Sequence, residues 1–260
     1  MLSYQHGFHA GNRADVLKHA CLHAILSSRS GGRPVFYVET HAGRGVYDLQ
    51  NAQAAKTGEA RDGVLDLLNS TAPKPLQPWL DAVRPPTPKA YPGSPKLASD
   101  LLGDRDRIVL FELHPTENVA LTDTVGTDDR IQIKKADGYA GALKLSPRRG
   151  EDMILFVDPS YETLRDMDAL AAWTPRALKR WPRAMLVLWL PLYRDERETE
   201  LGAYLSDLED GVIAGARWPT DPLDETALEG SAIVAYRAPD AAASKCVAIA
   251  NALQAHWSDR

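Results

Sequence analysis

Five apolar residues, Met153-Ile154-Leu155-Phe156-Val157, end abruptly at Asp158-Pro159-Ser160-Tyr161. Those four residues suit a narrow chemistry. An exocyclic aromatic amine, such as N6 of adenine, is a poor nucleophile because its lone pair is spread into the ring. The Asp158 carboxylate can accept one of its N–H groups and the Pro159 carbonyl the other. Proline lacks its own N–H and fixes φ, so that carbonyl is held in direction. Two acceptors on one NH2 favour a pyramidal nitrogen with a localised lone pair. Tyr161 offers a flat face for a base to stack on, completing an acceptor clamp for an unstacked nucleotide. The competing use of the same residues is an Asp cap and a first-turn Pro for the next helix.

Three further acids end apolar runs. VFYVE closes at Glu39 and is followed by Thr40-His41-Ala42-Gly43-Arg44-Gly45. Glycines after a strand let the backbone turn beside a ligand, but the third glycine of a dinucleotide fingerprint is missing. RIVLFE closes at Glu112, placed to accept a ribose diol. RIQIK leads to Ala136-Asp137-Gly138, where an acid can meet an adenine amine while the Gly138 backbone approaches the ring, or simply make a turn. At the start, SYQHGFHAGN is dense in aromatic and imidazole groups without an apolar period, and Tyr4, His6 and His9 read as a substrate-binding arm. His19 and His23 are spaced like a metal pair, but no third ligand is near and no metal is expected.

Short apolar runs bounded by turn signals are strands buried on both faces, as in a parallel sheet, and ligands of such sheets sit past the strands' carboxyl ends. Runs at 35–39, 107–112, 130–134, 153–157, 184–190, 212–218 and 231–237 give about seven strands. Helices are predicted at 13–29, amphipathic and closed by Gly31-Gly32, then at 164–180, 194–209 and 241–256. The span from Gly43 to Glu112 is far longer than a simple β-α-β unit needs. Eight of the 18 prolines fall between 73 and 95, so 48–94 reads as an inserted, helical and proline-rich subdomain that re-enters the sheet at YPGSP. With 260 residues and 44% hydrophobic content, residues 1–260 can form one α/β domain, with 1–12 as its arm. The opening residues lack the apolar core of a secretion signal and no run approaches membrane-spanning length. Cys21 and Cys246 are the only cysteines, which excludes a disulfide framework and fits a cytoplasmic protein. A net charge of -5 argues against broad affinity for nucleic acid, although Arg176, Lys179, Arg180 and Arg183 form a basic cluster that is either a solvated face or a phosphate contact.

Acids ending the first four strands, with a glycine turn after the first, match the layout of a methyltransferase that uses S-adenosyl-L-methionine (AdoMet). The chain resembles the bacterial large-subunit ribosomal RNA adenine-N6 methyltransferase J family. The resemblance is carried by MLSYQHGFHAGNRADVLKHA, ETHAGRGVY, YPGSP, FELHP, KADGY and VDPSY, in the family's order over residues 1 to about 161. It implies a Rossmann-like class I fold with a small helical insertion, acting as a cytoplasmic monomer on 23S ribosomal RNA. It implies AdoMet contacts at His19, His41, Ser94, Glu112, Asp137 and Gly138, with Lys18 beside them, an RNA contact at Tyr4 and a catalytic acceptor at Asp158. The family usually has a second proline where this chain has Ser160, so a less rigid loop is expected. The same clamp would accept a DNA adenine or a protein glutamine amide, and an RNA-binding assembly factor could keep such a pocket without turnover.

Overall fold

Val35–Glu39 (VFYVE) forms β1, whose five residues are all buried. Its residues divide between two cores. Val35 and Tyr37 pack on one face with Ile108, Leu110, Ile154 and Phe156, while Phe36 and Val38 pack on the other with Val109, Phe111, Leu155 and Val157. Such alternation on two buried faces is what a central strand of a covered parallel sheet requires. The structure is a computed structural model that describes residues 6–29, 32–84, 87–162, 164–209, 211–220 and 228–258.

After β1 the chain makes β2 (Val46–Tyr47), helices α2 (Ala52–Thr57), α3 (Val64–Asn69) and α4 (Gln77–Val83), and β3 (Tyr91–Pro92). β2 and β3 pair only with each other, antiparallel, so YPGSP does not re-enter the main sheet; its Ser94 starts α5 (Ser94–Leu101). β4 (Arg107–Phe111), α6 (Pro115–Val125), β5 (Ile131–Lys134), α7 (Gly138–Ala142) and β6 (Asp152–Val157) follow. Then come α8 (Leu164–Arg180), β7 (Met185–Tyr193), α9 (Thr199–Leu208), β8 (Gly211–Arg217), β9 (Leu228–Tyr236) and α10 (Asp240–Trp257). Among the described residues, seven strands form one sheet in the order β5-β4-β1-β6-β7-β9-β8. Strands β5 through β7 run parallel, and β9 and β8 complete the edge antiparallel. This is a Rossmann-like α/β fold. The chain leaves β1 toward β4 and β5, then crosses to β6 on the other side, which puts the topological switch point at the ends of β1 and β6.

Two elements depart from expectation in ways that shape the site. Helix α1 (Arg13–Ser27) is not amphipathic: every residue from Ala14 to Leu26 is buried, because the helix lies between β9, α5 and α10. Asp15, Lys18, His19 and His23 are therefore inside the protein, where charged groups need partners. Ser28, not a glycine, follows its last turn. Strand β7 runs three residues further than 184–190. Its pairing with β6 ends at Val157 opposite Leu188, while β9 continues alongside it from Tyr236 to Leu228. From Trp189 onward one edge of β7 faces the loop that leaves β6. Pro191 is tolerated there because only one neighbouring strand remains.

Candidate active site

Residue alternation sends the side chain of Asp158 to the same face as Ile154 and Phe156, the face covered by α1. There Asp158 Oδ2 lies 2.7 Å from Lys18 Nζ. Lys18 also pairs with Asp15 Oδ1 at 3.0 Å, one turn back on α1. Asp15 Oδ2 in turn meets His6 Nε2 at 2.9 Å and accepts the Gly11 amide at 2.9 Å. Asn12 caps the helix by accepting Asp15 N–H at 2.9 Å. One chain of ionisable side chains thus runs His6–Asp15–Lys18–Asp158. Burial pushes Asp15 up, but His6 and Lys18 outweigh it and hold the carboxyl well below its usual range. Burial likewise works against the Lys18 ammonium, and its two carboxylates override it and raise its pKa. For Asp158 burial wins: its pKa lies above the usual 3.8, with Lys18 opposing the rise. No hydrogen bond from the described residues engages Asp158 Oδ1, and the residue lines a cavity of about 910 Å³ together with Pro159 and Ser160.

Around that cavity the strand ends bring up the remaining groups. Glu112 accepts the Gly43 amide (2.8 Å) on one oxygen and the His114 amide (2.7 Å) on the other, so its carboxylate edge is fixed while each oxygen keeps a lone pair. Gly43 has φ 65°, and a Cβ there would sit 2.4 Å from the Tyr47 hydroxyl. Asp137 caps α7 through the Ala140 amide (2.7 Å), and Gly138 packs so tightly that a Cβ would fall 1.9 Å from the Thr40 carbonyl oxygen. His41 accepts or donates at Thr40 Oγ1 (2.8 Å), and burial lowers its pKa to about 4. His19 pairs through Nδ1 with the Tyr91 hydroxyl (2.8 Å), and burial lowers its pKa to about 3. Both imidazoles are neutral near pH 7. Behind them Glu39 is fully buried between the hydroxyls of Ser94 and Tyr37, and burial raises its pKa to about 8.

That last shift has a stability consequence. A carboxyl raised from 4.5 to about 8 stabilises the fold fully below about pH 4.5, and the contribution is lost as pH rises through about 8. Thermal unfolding of Glu39→Gln is expected to lack the fall in Tm that the parent chain shows over that window. An identical pH slope in the two proteins would refute the buried-acid assignment.

Comparison with known proteins agrees with this layout. The family model of ribosomal RNA large subunit methyltransferase D, RlmJ, matches residues 32–259. The chain belongs to that family. It is 37% identical over 201 residues to ribosomal RNA large subunit methyltransferase J of Escherichia coli (strain K12), covering 74% of this chain and 71% of the relative. It is 32% identical over 199 residues to the protein of the same name from Haemophilus influenzae, with the same coverage. A crystal structure of the Legionella pneumophila protein LPL1258 superposes with a TM-score of 0.82 at 25% identity, over 96% of this chain and 94% of that one.

AdoMet is the cofactor of such a methyltransferase, and the residues of this RlmJ family member fit it. Gly43 and Gly138 line the cavity with bare backbone, and at both positions the neighbouring Tyr47 hydroxyl or Thr40 carbonyl excludes a side chain, so backbone can approach a flat ligand there. The fixed carboxylate oxygens of Glu112 can accept from a diol, and Tyr139 lines the cavity beside His41 with its buried hydroxyl lacking a hydrogen-bond partner among the described residues. Lys18, His41, Gly43, Ser94, Glu112, Asp137, Gly138 and His19 all line the same cavity as Asp158 and Pro159. His6 joins them through Asp15. Tyr4 lies outside the described residues.

One expectation changes and two others are narrowed. Tyr161 does not present its ring to the cavity: it is 7% exposed, its hydroxyl donates to the Trp189 carbonyl (2.6 Å), and its backbone takes a positive φ of 51°. The unpaired edge of β7 supplies that acceptor, and the buried ring offsets a backbone cost of about 1–3 kcal/mol. Of the two readings of the basic cluster at Arg176–Arg183, the solvated face holds: its four side chains are exposed at the end of α8 that feeds the start of β7, at the opposite end of the sheet, and none lines the cavity. His19 and His23 are buried on α1, and His19 lines the cavity, where the resemblance places a cofactor contact. Sequence reasoning missed Asp15, Tyr139 and Trp189. Asp15 carries a signal, an acid three residues before Lys18 in a helix otherwise almost free of charge, whereas the exposure of Trp189 to the cavity depends on where β6 stops pairing.

Proposed function

We propose that this protein transfers the methyl group of AdoMet to N6 of an adenine in 23S ribosomal RNA, acting on a base unstacked from the RNA. The observation that carries the reading is the unequal use of the Asp158 carboxylate: Lys18 holds Oδ2 while Oδ1 is left to the cavity. A carboxylate fixed in that way accepts an amine N–H in one direction only. The family relatives from Escherichia coli and Haemophilus influenzae bear ribosomal RNA methyltransferase names, which supplies the substrate class.

When bound, AdoMet supplies an electrophilic methyl group on a sulfonium. The chain's own residues do the rest. Asp158 Oδ1 accepts one N–H of the amine and the Pro159 carbonyl the other, so the nitrogen lone pair is directed out of the ring plane. Lys18 opposes the rise that burial imposes on the carboxyl's pKa, and Asp15 shares the ammonium charge. After transfer the nitrogen is acidic, and its proton leaves to Asp158 or to water. Alignment of nucleophile and methyl group supplies much of the acceleration.

Trp189 takes the stacking role expected of Tyr161. Its indole lines the cavity 5.0 Å from Lys18 Nζ, and its Nε1 donates to Ser231 Oγ at 2.9 Å, which fixes the ring. Base–aromatic stacking contributes about 1–3 kcal/mol per base, so Trp189→Ala is expected to lower kcat/KM for RNA by roughly 10–100-fold. Trp189→Phe should recover most of that, and AdoMet affinity should hold in both. Loss of cofactor binding instead would move Trp189 out of the base subsite. The function itself is tested by methylating protein-free large-subunit RNA with radiolabelled AdoMet and identifying the nucleoside after digestion. N6-methyladenosine is expected; label in another nucleoside, in DNA or in a glutamine side chain would reject the reading.

A further inference from the structure

The segment His6–Asn12 contains only one short 3-10 turn, so its shape must come from contacts with other elements. On one side His6 reaches Asp15. On the other side stands Glu59, between α2 and α3. Its Oε1 meets His9 Nδ1 at 2.8 Å and its Oε2 accepts Asn12 Nδ2 at 3.0 Å. The two bonds outweigh burial and lower the Glu59 pKa, and the same pairing raises that of His9. Asn12 uses its other side-chain atom to cap α1 at Asp15, so one carboxylate fixes both a cavity-lining imidazole and the cap of the helix that carries Lys18. Neighbouring contacts follow the same path: Val64 N–H donates to Gly11 O (2.8 Å), Arg13 Nε donates to Asp62 O (3.2 Å), and Lys56 Nζ lies 5.7 Å from the Phe8 ring centroid.

We propose that Glu59 is a positioning residue that clasps His6–Asn12 against the cavity and so presents this segment to RNA in a preset shape. The identity of what the segment meets rests on the RNA-methylation reading above; the clasp does not. Pre-ordering a segment lowers the entropy that binding must otherwise supply.

The test uses the full chain with Glu59→Ala, Glu59→Gln, His9→Ala and the double variant Glu59→Ala/His9→Ala. Three quantities are measured: steady-state methylation of protein-free RNA, AdoMet binding by calorimetry, and hydrogen exchange of the amides of residues 6–12. Glu59→Ala is expected to raise the RNA KM about tenfold, the scale of losing bonds to a charged group. Its kcat and AdoMet affinity should be unchanged, and amides 6–12 should exchange faster while those of α1 keep their protection. Glu59→Gln, which retains an acceptor for Asn12 but no charge for His9, should fall between. The double variant should cost no more than the worse single one, because both remove the same contact. Parental exchange at 6–12 together with a parental KM would overturn the proposal. So would a loss shared equally by kcat and Tm, which marks a merely structural residue. Should the parent chain leave RNA unmodified, faster exchange in Glu59→Ala would still support the clasp while the target assignment fell.

Discussion

Replacing Asp158 with Asn is expected to slow methyl transfer to RNA by on the order of 10³-fold while AdoMet binds as before. The amide keeps the shape of the carboxylate, and Lys18 keeps its second partner in Asp15, so the fold should survive the change. What is lost is the directed acceptor: one end of the amide is an NH2 that would face either Lys18 or the substrate amine, and a donor against a donor repels in both places. Complete truncation to Ala is a harsher experiment, since removing one member of a buried ion pair costs about 3–5 kcal/mol by itself. The pH profile adds a second readout. Burial lifts the Asp158 pKa above 3.8, so kcat/KM of the parent chain should fall on the acid side as that group takes up a proton, at higher pH than for an exposed aspartate. The Asn variant should lack that limb. Single-turnover rates and calorimetry decide the matter: an Asn variant that turns over at the parental rate, or one that loses AdoMet with its fold intact, removes Asp158 from the chemistry.

The second large effect is expected at Gly138. A methyl group there would lie 1.9 Å from the Thr40 carbonyl oxygen and 2.6 Å from its carbon, inside any permitted contact. Neither side can yield cheaply. Thr40 is pinned by its amide to the Phe156 carbonyl (3.1 Å) at the switch point, and Gly138 opens α7 directly behind the Asp137 cap. Gly138→Ala must push the end of β1 away from α7, which separates His41 and Gly43 from Asp137. Overpacking of this kind typically costs about 1–3 kcal/mol of stability. AdoMet affinity should fall by at least roughly tenfold, because a pre-shaped pocket now has to be forced back into shape. Calorimetric titration of the folded variant is the check, and an affinity equal to that of the parent would show that the cofactor does not use this corner.

How the site could be read from the sequence differs from residue to residue. Glu112, Asp137 and Asp158 were legible because apolar runs stop at or just before them, as a buried parallel strand must where its chain reaches the cavity; Glu39 also closes an apolar run, yet it stays fully buried. The glycines at 43 and 138 were legible for a related reason: a turn at a strand end is where backbone comes close to backbone. Helix α1 misled. It was expected to be amphipathic, yet Lys18 is inside because two acids, Asp15 from its own helix and Asp158 just past β6, together compensate its charge. One of those partners is 140 positions away in the chain, and no local pattern could announce the pairing.

The amino-acid order alone therefore determined the seven strands of the main sheet and the acids at their ends, since periodicity and turn chemistry are local properties, and its motifs carried the resemblance to the family. Only the tertiary structure decided which ring faces the cavity. Tyr161 and Trp189 are both aromatic and both near Asp158, but β6 stops pairing one residue short of Trp189. That frees a carbonyl for the Tyr161 hydroxyl, draws its ring inward and leaves the indole on the cavity wall. Register between strands far apart in the chain set that choice, and register is a property of the packed sheet rather than of either segment.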